Sequence, residues 1–400
     1  MKILVICQNY YPEPFRITDI CEEWVKRGHD VTVVTGLPNY PAGEIYAGYR
    51  AKKKRDEVIG GVKVHRCFEI PRKKGLLFRF LNYYSFAWSA TRYVKTLKKR
   101  FDVVFANQLS PVMMVAPALA YKKKHGTRVI LYCLDLWPES LIAGGIKRGS
   151  FLYRHYHKVS TKIYHGVDRI AITSKLFEQY FFEQFGIGKE KICYLPQYAE
   201  SLFDAGQCKK EQDEQINLLF AGNVGVAQSV ETIIRAAAQT KDLTHLHWHI
   251  VGDGSTLEDC KALAERLDVR AVTFYGYKPL TDMPLYYKKA DATLTTLMND
   301  DVLSLTLPGK LQSYMAAGKP ILVAANGEIP TVVREASCGI CVSAEDHDAL
   351  ALAVREFCRL PKEKREELGQ NAEQFYREHF SKAVFFEKVD ELLNENFNDQ

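Results

Sequence analysis

The sequence predicts an α/β protein built as two doubly wound domains in series. Three observations carry that reading. Short apolar runs alternate with segments of helical period along nearly the whole chain, and the alternation breaks near residues 197–215 before starting again. A chain of 400 residues also exceeds the size at which one hydrophobic core usually stops growing.

Residues 2–7 read as the first strand. Ile17, Ile20, Cys21, Trp24 and Val25 then recur at helical spacing, Gly28 ends that helix, and 31–35 reads as the second strand. Further strands are predicted at 62–70, 103–107, 129–134, 170–174 and 192–195. The segment 197–215 has no apolar period and carries Lys209, Lys210, Glu211, Asp213 and Glu214, as a linker would. A second series opens at 216–222. It continues with a helix whose Val230, Ile233, Ile234 and Ala237 share a face, and with strands at 246–251, 272–275, 292–297 and 321–325. The last helix is built on Phe385, Val389, Leu392 and Leu393. The expected division is a Rossmann-like domain over 1–200, a second over 201–375, and a helical tail over 376–400 packing back on the first domain. Such sheets bind ligands at the carboxyl ends of their strands, so a shared central cleft is the expected site.

Composition excludes several classes. With 47% hydrophobic and 26% charged residues the chain is neither disordered nor fibrous. The opening apolar run is too short for an export signal, and the longest apolar stretch, 111–121, is well below the roughly twenty residues a spanning helix needs. A cytoplasmic protein is expected, with its ten cysteines as reduced packing residues.

The net charge of +6 hides an asymmetry: residues 1–200 hold 33 Lys and Arg against 17 Asp and Glu, and the remainder holds 21 against 31. Most of the excess lies in 51–100. There Lys52, Lys53, Lys54, Arg55, Arg72, Lys73, Lys74, Arg79, Lys98, Lys99 and Arg100 surround Leu76, Leu77, Phe78, Phe80, Leu81, Tyr83, Tyr84, Phe86 and Trp88. Basic residues among aromatics suit an anionic membrane surface, on the inner face of the cell membrane for a cytoplasmic protein. A core helix with a solvated basic rim has the same composition. No base-reading module accompanies the charge, so nucleic acid is not an expected partner.

Three predicted strand ends in the second half look built for a phosphate-bearing ligand: Gly222, Asn223 and Gly225 after one, Asp253 and Gly254 after the next, and Tyr277 after the third. Small residues let a ligand approach the backbone, although each turn alone is more often simply tight. The sharper feature is LPGKLQSYMAAGKP, residues 307–320, in which Pro308 and Gly309 open a short helix that Gly318 and Pro320 close. Its first turn offers unpaired N–H groups and the positive dipole end to an anion. Lys310 sits in that turn, where a cation is disfavoured unless an anion meets it.

That helix, its following strand and AEDHDAL (residues 344–350) resemble the carboxyl half of retaining glycosyltransferases of family 4. QNYYPEP (8–14), GLPNYPAG (36–43), AGYR (47–50), DLWPES (135–140), LPQYAE (195–200) and AGNVGVAQ (221–228) are similar to its subgroup that assembles O-antigen, capsule and colanic-acid units, L-fucosamine transferases included. The resemblance spans nearly the whole chain. It implies the GT-B fold, a nucleotide diphosphate sugar donor, usually UDP-linked, in the second domain, an acceptor in the first, retention of configuration, and no metal ion or other cofactor.

The donor residues it implies are Gly222, Asn223, Gly225, Asp253, Gly254, Tyr277, Pro308, Gly309 and Lys310. Leu305 and Ser313 stand where many members carry two glutamates, so Gln312, Ser313 or Glu328 is expected to replace those carboxylates. Asn223 and the uncharged Ala227 and Gln228 replace a common arginine and lysine, leaving Lys310 more of the phosphate role. Cys133 and Leu134 replace a common histidine. For the acceptor the candidates are Tyr10, Tyr11, Glu13 and the Asn39–Tyr40 pair preceding Pro41. Asp135 and Glu139 are the candidate catalytic carboxylates, with a capping role as the alternative.

Three further patterns are read as structural. Cys338 and Cys341 have no partner pair for zinc and suit a buried turn; His245, His247 and His249 alternate on one strand face; Ser343 with Asp346 reads as a helix cap rather than a metal-binding Asp346–Asp348 pair. Two other functions fit the sequence: a nucleotide-sugar epimerase on the same fold, and a non-catalytic membrane-associated scaffold.

Overall fold

The computed structural model describes residues 1–50, 53–72, 75–142, 145–208 and 215–395. Ala51, Lys52, Lys73, Lys74 and residues 209–214, the two lysines and three acids of the expected linker among them, lie outside the described residues. The chain forms two units, one from Met1–Thr173 with Phe177–Tyr194 and one from Ser174–Leu176 with Leu195–Gln400.

In the first unit the strands are β1 (Lys2–Ile6), β2 (Asp30–Thr35), β3 (Asp56–Ile59), β4 (Val62–Arg66), β5 (Val103–Gln108), β6 (Arg128–Cys133), β7 (Arg169–Ile172) and β8 (Ile192–Tyr194). They form one sheet in the order β3-β4-β2-β1-β5-β6-β7-β8, parallel throughout except for β3 against β4. β1 and β5 are almost wholly buried, as expected of parallel strands covered on both faces. The order reverses direction between β1 and β5, so the loops leaving those two strands diverge and open a crevice. The predicted strand 62–70 ends earlier, at Arg66. Its antiparallel partner β3 was not predicted, because the charged edge sequence DEVI has no apolar run; the turn at Gly60 (φ +55°) and Gly61 (φ +83°) was the available signal.

The second unit holds β9 (Ile216–Ala221), β10 (Leu246–Val251), β11 (Val272–Gly276), β12 (Ala292–Thr296), β13 (Ile321–Ala324) and β14 (Gly339–Val342), all parallel, in the order β11-β10-β9-β12-β13-β14. The helix Val230–Gln239 buries Val230, Ile233, Ile234 and Ala237 on this sheet beside Phe220 and Trp248. Each such side chain contributes about 1.5–3 kcal/mol when taken out of water. β14 is the second strand not predicted, and Cys341 lies on it rather than in a turn. Its first residue must be glycine, since a Cβ on Gly339 would lie 1.8 Å from the Ile321 carbonyl oxygen. The last helix, Lys382–Asn394, is capped by Ser381 and buries Phe385, Phe386, Val389, Leu392 and Leu393. Phe385 packs on Tyr198 of the same unit, with ring centroids 4.9 Å apart.

All ten cysteines are free thiols. Among the described residues no helix is long and apolar enough to cross a membrane.

Candidate active site

In the second unit three strand ends are stitched together by their backbones. The Gly222 N–H donates to Val251 O and the Gly252 N–H to Gly276 O, each at 2.9 Å, so the exits of β9, β10 and β11 lie side by side. A Cβ on Gly252, whose φ is +143°, would sit 1.7 Å from Gly222 O, and one on Gly254 would sit 2.3 Å from Val224 O. Only glycine permits that approach. Gly222, Asn223, Gly225, Asp253 and Gly254 are thus brought together. Asn223 Nδ2 donates to Gln228 Oε1 (2.9 Å), and Asp253 Oδ1 accepts from the Gly254 N–H (2.7 Å). Tyr277, past the end of β11, stands in solvent.

The helix Gly309–Ala316 begins at Pro308 without a side-chain cap, which leaves the N–H groups of its first turn available. Tyr314 pins this helix to the end of β9, donating to Ala221 O (3.1 Å) and accepting from the Ala221 N–H (2.9 Å). Lys310 as a whole is half-buried, but its Nζ is out of water and has no hydrogen-bond partner among the described residues. The amine lies 4.3 Å from the centroid of the Phe220 ring. Its Cδ is 3.8 Å from where a Gly222 Cβ would be, so the glycine makes room for it. Burial alone pushes the Lys310 pKa down to about 7. A ring contact worth roughly 0.5–2 kcal/mol does not replace the water an ammonium loses, and an anion would.

The residues expected to replace the missing glutamates are already bonded within the protein. With its amide oriented to satisfy both groups, Gln312 donates to Pro308 O (2.9 Å) and Gly309 O (3.2 Å). Ser313 Oγ donates to Gly309 O at 3.3 Å. Glu328 accepts from the Lys175 N–H at 3.1 Å, and burial raises its pKa. The first two brace the helix turn that presents Lys310.

In the first unit the loops leaving β1, β2, β5 and β6 enclose a cavity of ≈ 560 Å³. Gln8, Asn39, Tyr40, Glu69, Arg79 and Asp135 are among its walls. Asp135 accepts from Ser140 Oγ (2.6 Å), yet burial pushes its pKa up to about 6. Glu13 lies under the wall and builds it: its Oε1 accepts from the N–H groups of Asn39 (2.9 Å) and Tyr40 (2.7 Å), and its Oε2 from Asn9 Nδ2 (3.2 Å). Burial outweighs these bonds and raises its pKa.

Three candidates sit elsewhere. Tyr10 is fully buried beside Cys21, in the core rather than the cavity, because it falls on the inward side of the chain leaving β1. Tyr11 is exposed, and its carbonyl accepts from the buried Arg66 Nη2 at 2.5 Å. Glu139 does not face the cavity: it accepts from Tyr153 OH (2.7 Å) and Arg148 Nη2 (2.8 Å), an internal ion pair. Sequence reasoning in turn missed Glu69 and Asn82; Arg72 and Arg79, counted there in a basic segment suited either to a membrane surface or to the rim of a core helix, line this cavity. The signal for Glu69 was a lone acid in the apolar run after β4.

Two of the histidine, cysteine and aspartate patterns have ordinary structural roles. Asp346 caps the helix His347–Arg359, its side chain accepting from the Ala349 N–H at 2.8 Å while its own N–H donates to Ser343 O at 3.3 Å. His249 is bonded to Tyr275 OH (2.9 Å) and Asn217 Oδ1 (2.8 Å), while His245 precedes β10. Among the described residues no three His, Cys, Asp or Glu side chains are placed to hold a metal ion.

Two parallel α/β units in series, with glycine-built strand exits and an uncapped helix start in the second, have the GT-B architecture. Residues 15–197 match the model of the glycosyl transferase 4-like domain, and residues 207–375 match that of glycosyl transferases group 1. The chain belongs to the GT-B glycosyltransferases and is a hexosyltransferase-type enzyme. It is 26% identical over 385 residues to the colanic acid biosynthesis glycosyl transferase WcaI of Escherichia coli K12, covering 90% of this chain and 93% of that one. Its fold is shared with the sucrose-phosphate synthase of Thermosynechococcus elongatus (TM-score 0.74, 16% identity, 98% of each chain). It is shared too with Anabaena HepE, solved with UDP and glucose (TM-score 0.71, 14% identity, 99% of this chain and 100% of that one).

Proposed function

We propose that this enzyme transfers an N-acetylated deoxyhexose from a UDP-linked donor to a lipid-linked glycan of bacterial surface polysaccharide synthesis, with retention of configuration and without a metal ion. The observation that carries the reading is the unpartnered amine of Lys310 beside the strand exits at Gly222 and Gly252. A leaving diphosphate develops charge as the sugar–oxygen bond breaks. Lys310 and the backbone N–H groups of Asn223, Gly225, Gly309 and Lys310 are preorganised to receive that charge, the largest electrostatic demand of the step; those of Gly222 and Val224 are held by Val251 O and Asp253 O. The acceptor hydroxyl oxygen forms the new bond at the anomeric carbon, and its proton leaves with the diphosphate oxygen. Asp135, in the wall of the first unit's cavity, orients that hydroxyl. The crystallised HepE complexes support a UDP donor, and the naming of WcaI supports a role in polysaccharide assembly.

The test is UDP release from UDP-N-acetyl sugars with and without a bacterial lipid extract containing diphosphate-linked glycans. Release only with the extract, and a product of unchanged anomeric configuration by NMR, is expected. Epimerised sugar without acceptor, or no turnover with any nucleotide sugar, would overturn the reading.

Association with an anionic membrane surface belongs to the same proposal. On the helix Leu76–Val94, Phe78, Leu81, Tyr84 and Trp88 are exposed at spacings of three and four, one stripe of its surface. Trp88 is 64% exposed, with the Arg92 guanidinium 6.0 Å from its ring. Aromatics beside cations suit the headgroup layer. Replacing Trp88 with alanine should weaken binding to phosphatidylglycerol vesicles; wild-type sedimentation of that variant would remove this part.

A further inference from the structure

One wall of the first unit's cavity holds buried oxygens whose bonding capacity the protein leaves unused. Glu69 is 1% exposed, and its Oε1 accepts from the side-chain amides of Asn39 and, at 3.5 Å, Asn82. Its Oε2 has no partner of hydrogen-bond geometry among the described residues, although the Gln8 side chain lies close enough to the carboxyl to oppose the rise in its pKa. Gln8 donates through Nε2 to Asn82 Oδ1 at 2.9 Å, while its own Oε1 is likewise buried without a partner. Both residues line the cavity. Space for the carboxyl is made by a glycine: a Cβ on Gly36 would lie 2.1 Å from Glu69 Oε2. A buried polar atom without a partner costs about 1–3 kcal/mol, so two of them on residues that line one cavity mark a place that a ligand completes.

The same cavity is lined by Arg72 and Arg79. The charges that could balance them are weakened. Burial, and then the neighbouring Glu13, push the Glu69 carboxyl well above the usual range, and burial raises Glu13 and Asp135 as well. Glu13, with three hydrogen-bond donors, is the better-stabilised carboxylate, and Glu69 is the one kept neutral. A neutral Glu69 donates through its free oxygen while Gln8 Oε1 accepts. That combination recognises the hydroxyl or amide groups of a sugar, and the two guanidiniums beside it suit a phosphate.

We infer that this cavity is a sugar-phosphate site in which Glu69 and Gln8 bind the sugar's hydrogen-bonding groups and Arg72 and Arg79 bind its phosphate. The inference deepens the acceptor half of the proposed function and rests on it. A lipid-linked sugar diphosphate and a free sugar phosphate share this chemistry.

The experiment is calorimetric titration of the full-length protein with N-acetylglucosamine 1-phosphate, its ten-carbon alkyl diphosphate counterpart, free N-acetylglucosamine and inorganic phosphate. The two phosphorylated sugars should bind, the free sugar and phosphate at least tenfold more weakly. Preference for the alkyl diphosphate identifies the lipid-linked source, and equal binding identifies the free one. Glu69→Gln, which keeps a donor at the free position, should stay within threefold of wild type, whereas Glu69→Ala should weaken binding at least tenfold. Arg79→Gln should reduce the sugar phosphate to the level of the free sugar. If Glu69→Ala fails to melt cooperatively, Gln8→Ala carries the same expectation. UDP binding in the second unit should be unchanged in every variant. Equal loss in Glu69→Gln and Glu69→Ala, unchanged binding in Glu69→Ala, or no binding of either phosphorylated sugar to wild type would overturn the inference. UDP release with lipid extract reports on the proposed function separately.

Discussion

In the second unit the amine of Lys310 is stripped of water between an aromatic ring and a glycine turn, with no hydrogen-bond partner among the described residues. In the first unit three carboxyls, Glu13, Glu69 and Asp135, are also stripped of water, but side-chain amides, backbone N–H groups and a serine hold them. Desolvation moves both sets toward their neutral forms, the amine downward and the acids upward. The difference lies in what each region lacks. The second unit has a cation waiting for an anion; the first has a bonded polar wall with two oxygens left over. A site built from backbone and one charge demands a strongly charged partner, whereas a site built from amides and neutral acids demands a shaped, hydroxyl-bearing one.

The largest effect that could break this comparison is at Lys310. Lys310→Met should lower turnover at least tenfold, through loss of a charge-assisted contact worth about 1.5–3 kcal/mol. The same change should stabilise the ligand-free protein by about 1–3 kcal/mol at neutral pH, since it removes a desolvated polar group. The sign follows from linkage. The folded pKa of about 7 lies below the ordinary 10.5, so the unfolded chain holds the proton more tightly. The lysine's destabilisation is therefore complete below about pH 7 and fades as pH rises toward 10.5. Melting curves of both proteins at pH 7 and pH 10 should converge at the higher value; unchanged turnover would remove the phosphate role. With UDP present the amine should regain its proton, so UDP should bind more weakly as pH rises from 7 to 8.5, with proton uptake visible in calorimetry across buffers.

Asp135 sharpens the contrast with the opposite sign. Its folded pKa of about 6 lies above the ordinary 3.8, so the folded state holds the proton more tightly, and that stabilisation is complete below about pH 4 and lost as pH rises through 6. Asp135→Asn should melt higher than wild type at pH 8, by about 1–3 kcal/mol for a shift of this order, and equally at pH 4, while turnover falls. A variant that melted lower at pH 8 would mean that the Ser140 bond, rather than desolvation, dominates.

The glycine-built strand exits and the helix start of the second unit were legible in the sequence because their parts are local. Gly222, Gly252 and Gly254 end strands in recognisable apolar runs, and Pro308, Gly309 and Lys310 are consecutive at a helix start. Backbone geometry of that kind leaves a mark in residue type. The polar wall of the first unit's cavity was only half legible. Glu13, Asn39 and Tyr40 stood in motifs, but Glu69 and Asn82 lie 13 residues apart on different elements and meet Gln8 only when β1, β2 and β4 pair. Tyr10 and Glu139 carried the right chemistry by type and proved to be packing and an internal ion pair, because which way a side chain points after a strand depends on the register of the sheet.

Hydrophobic period, chain length and the break near residue 200 were enough to determine two parallel α/β units, since burying apolar surface in strands and helices leaves few other arrangements for such a pattern. Tertiary structure alone decided which polar groups were left without partners. Whether Lys310 Nζ, Glu69 Oε2 or Glu328 is bonded depends on atoms brought from distant parts of the chain, and a hydrogen bond is a matter of a few tenths of an ångström that residue order does not encode locally.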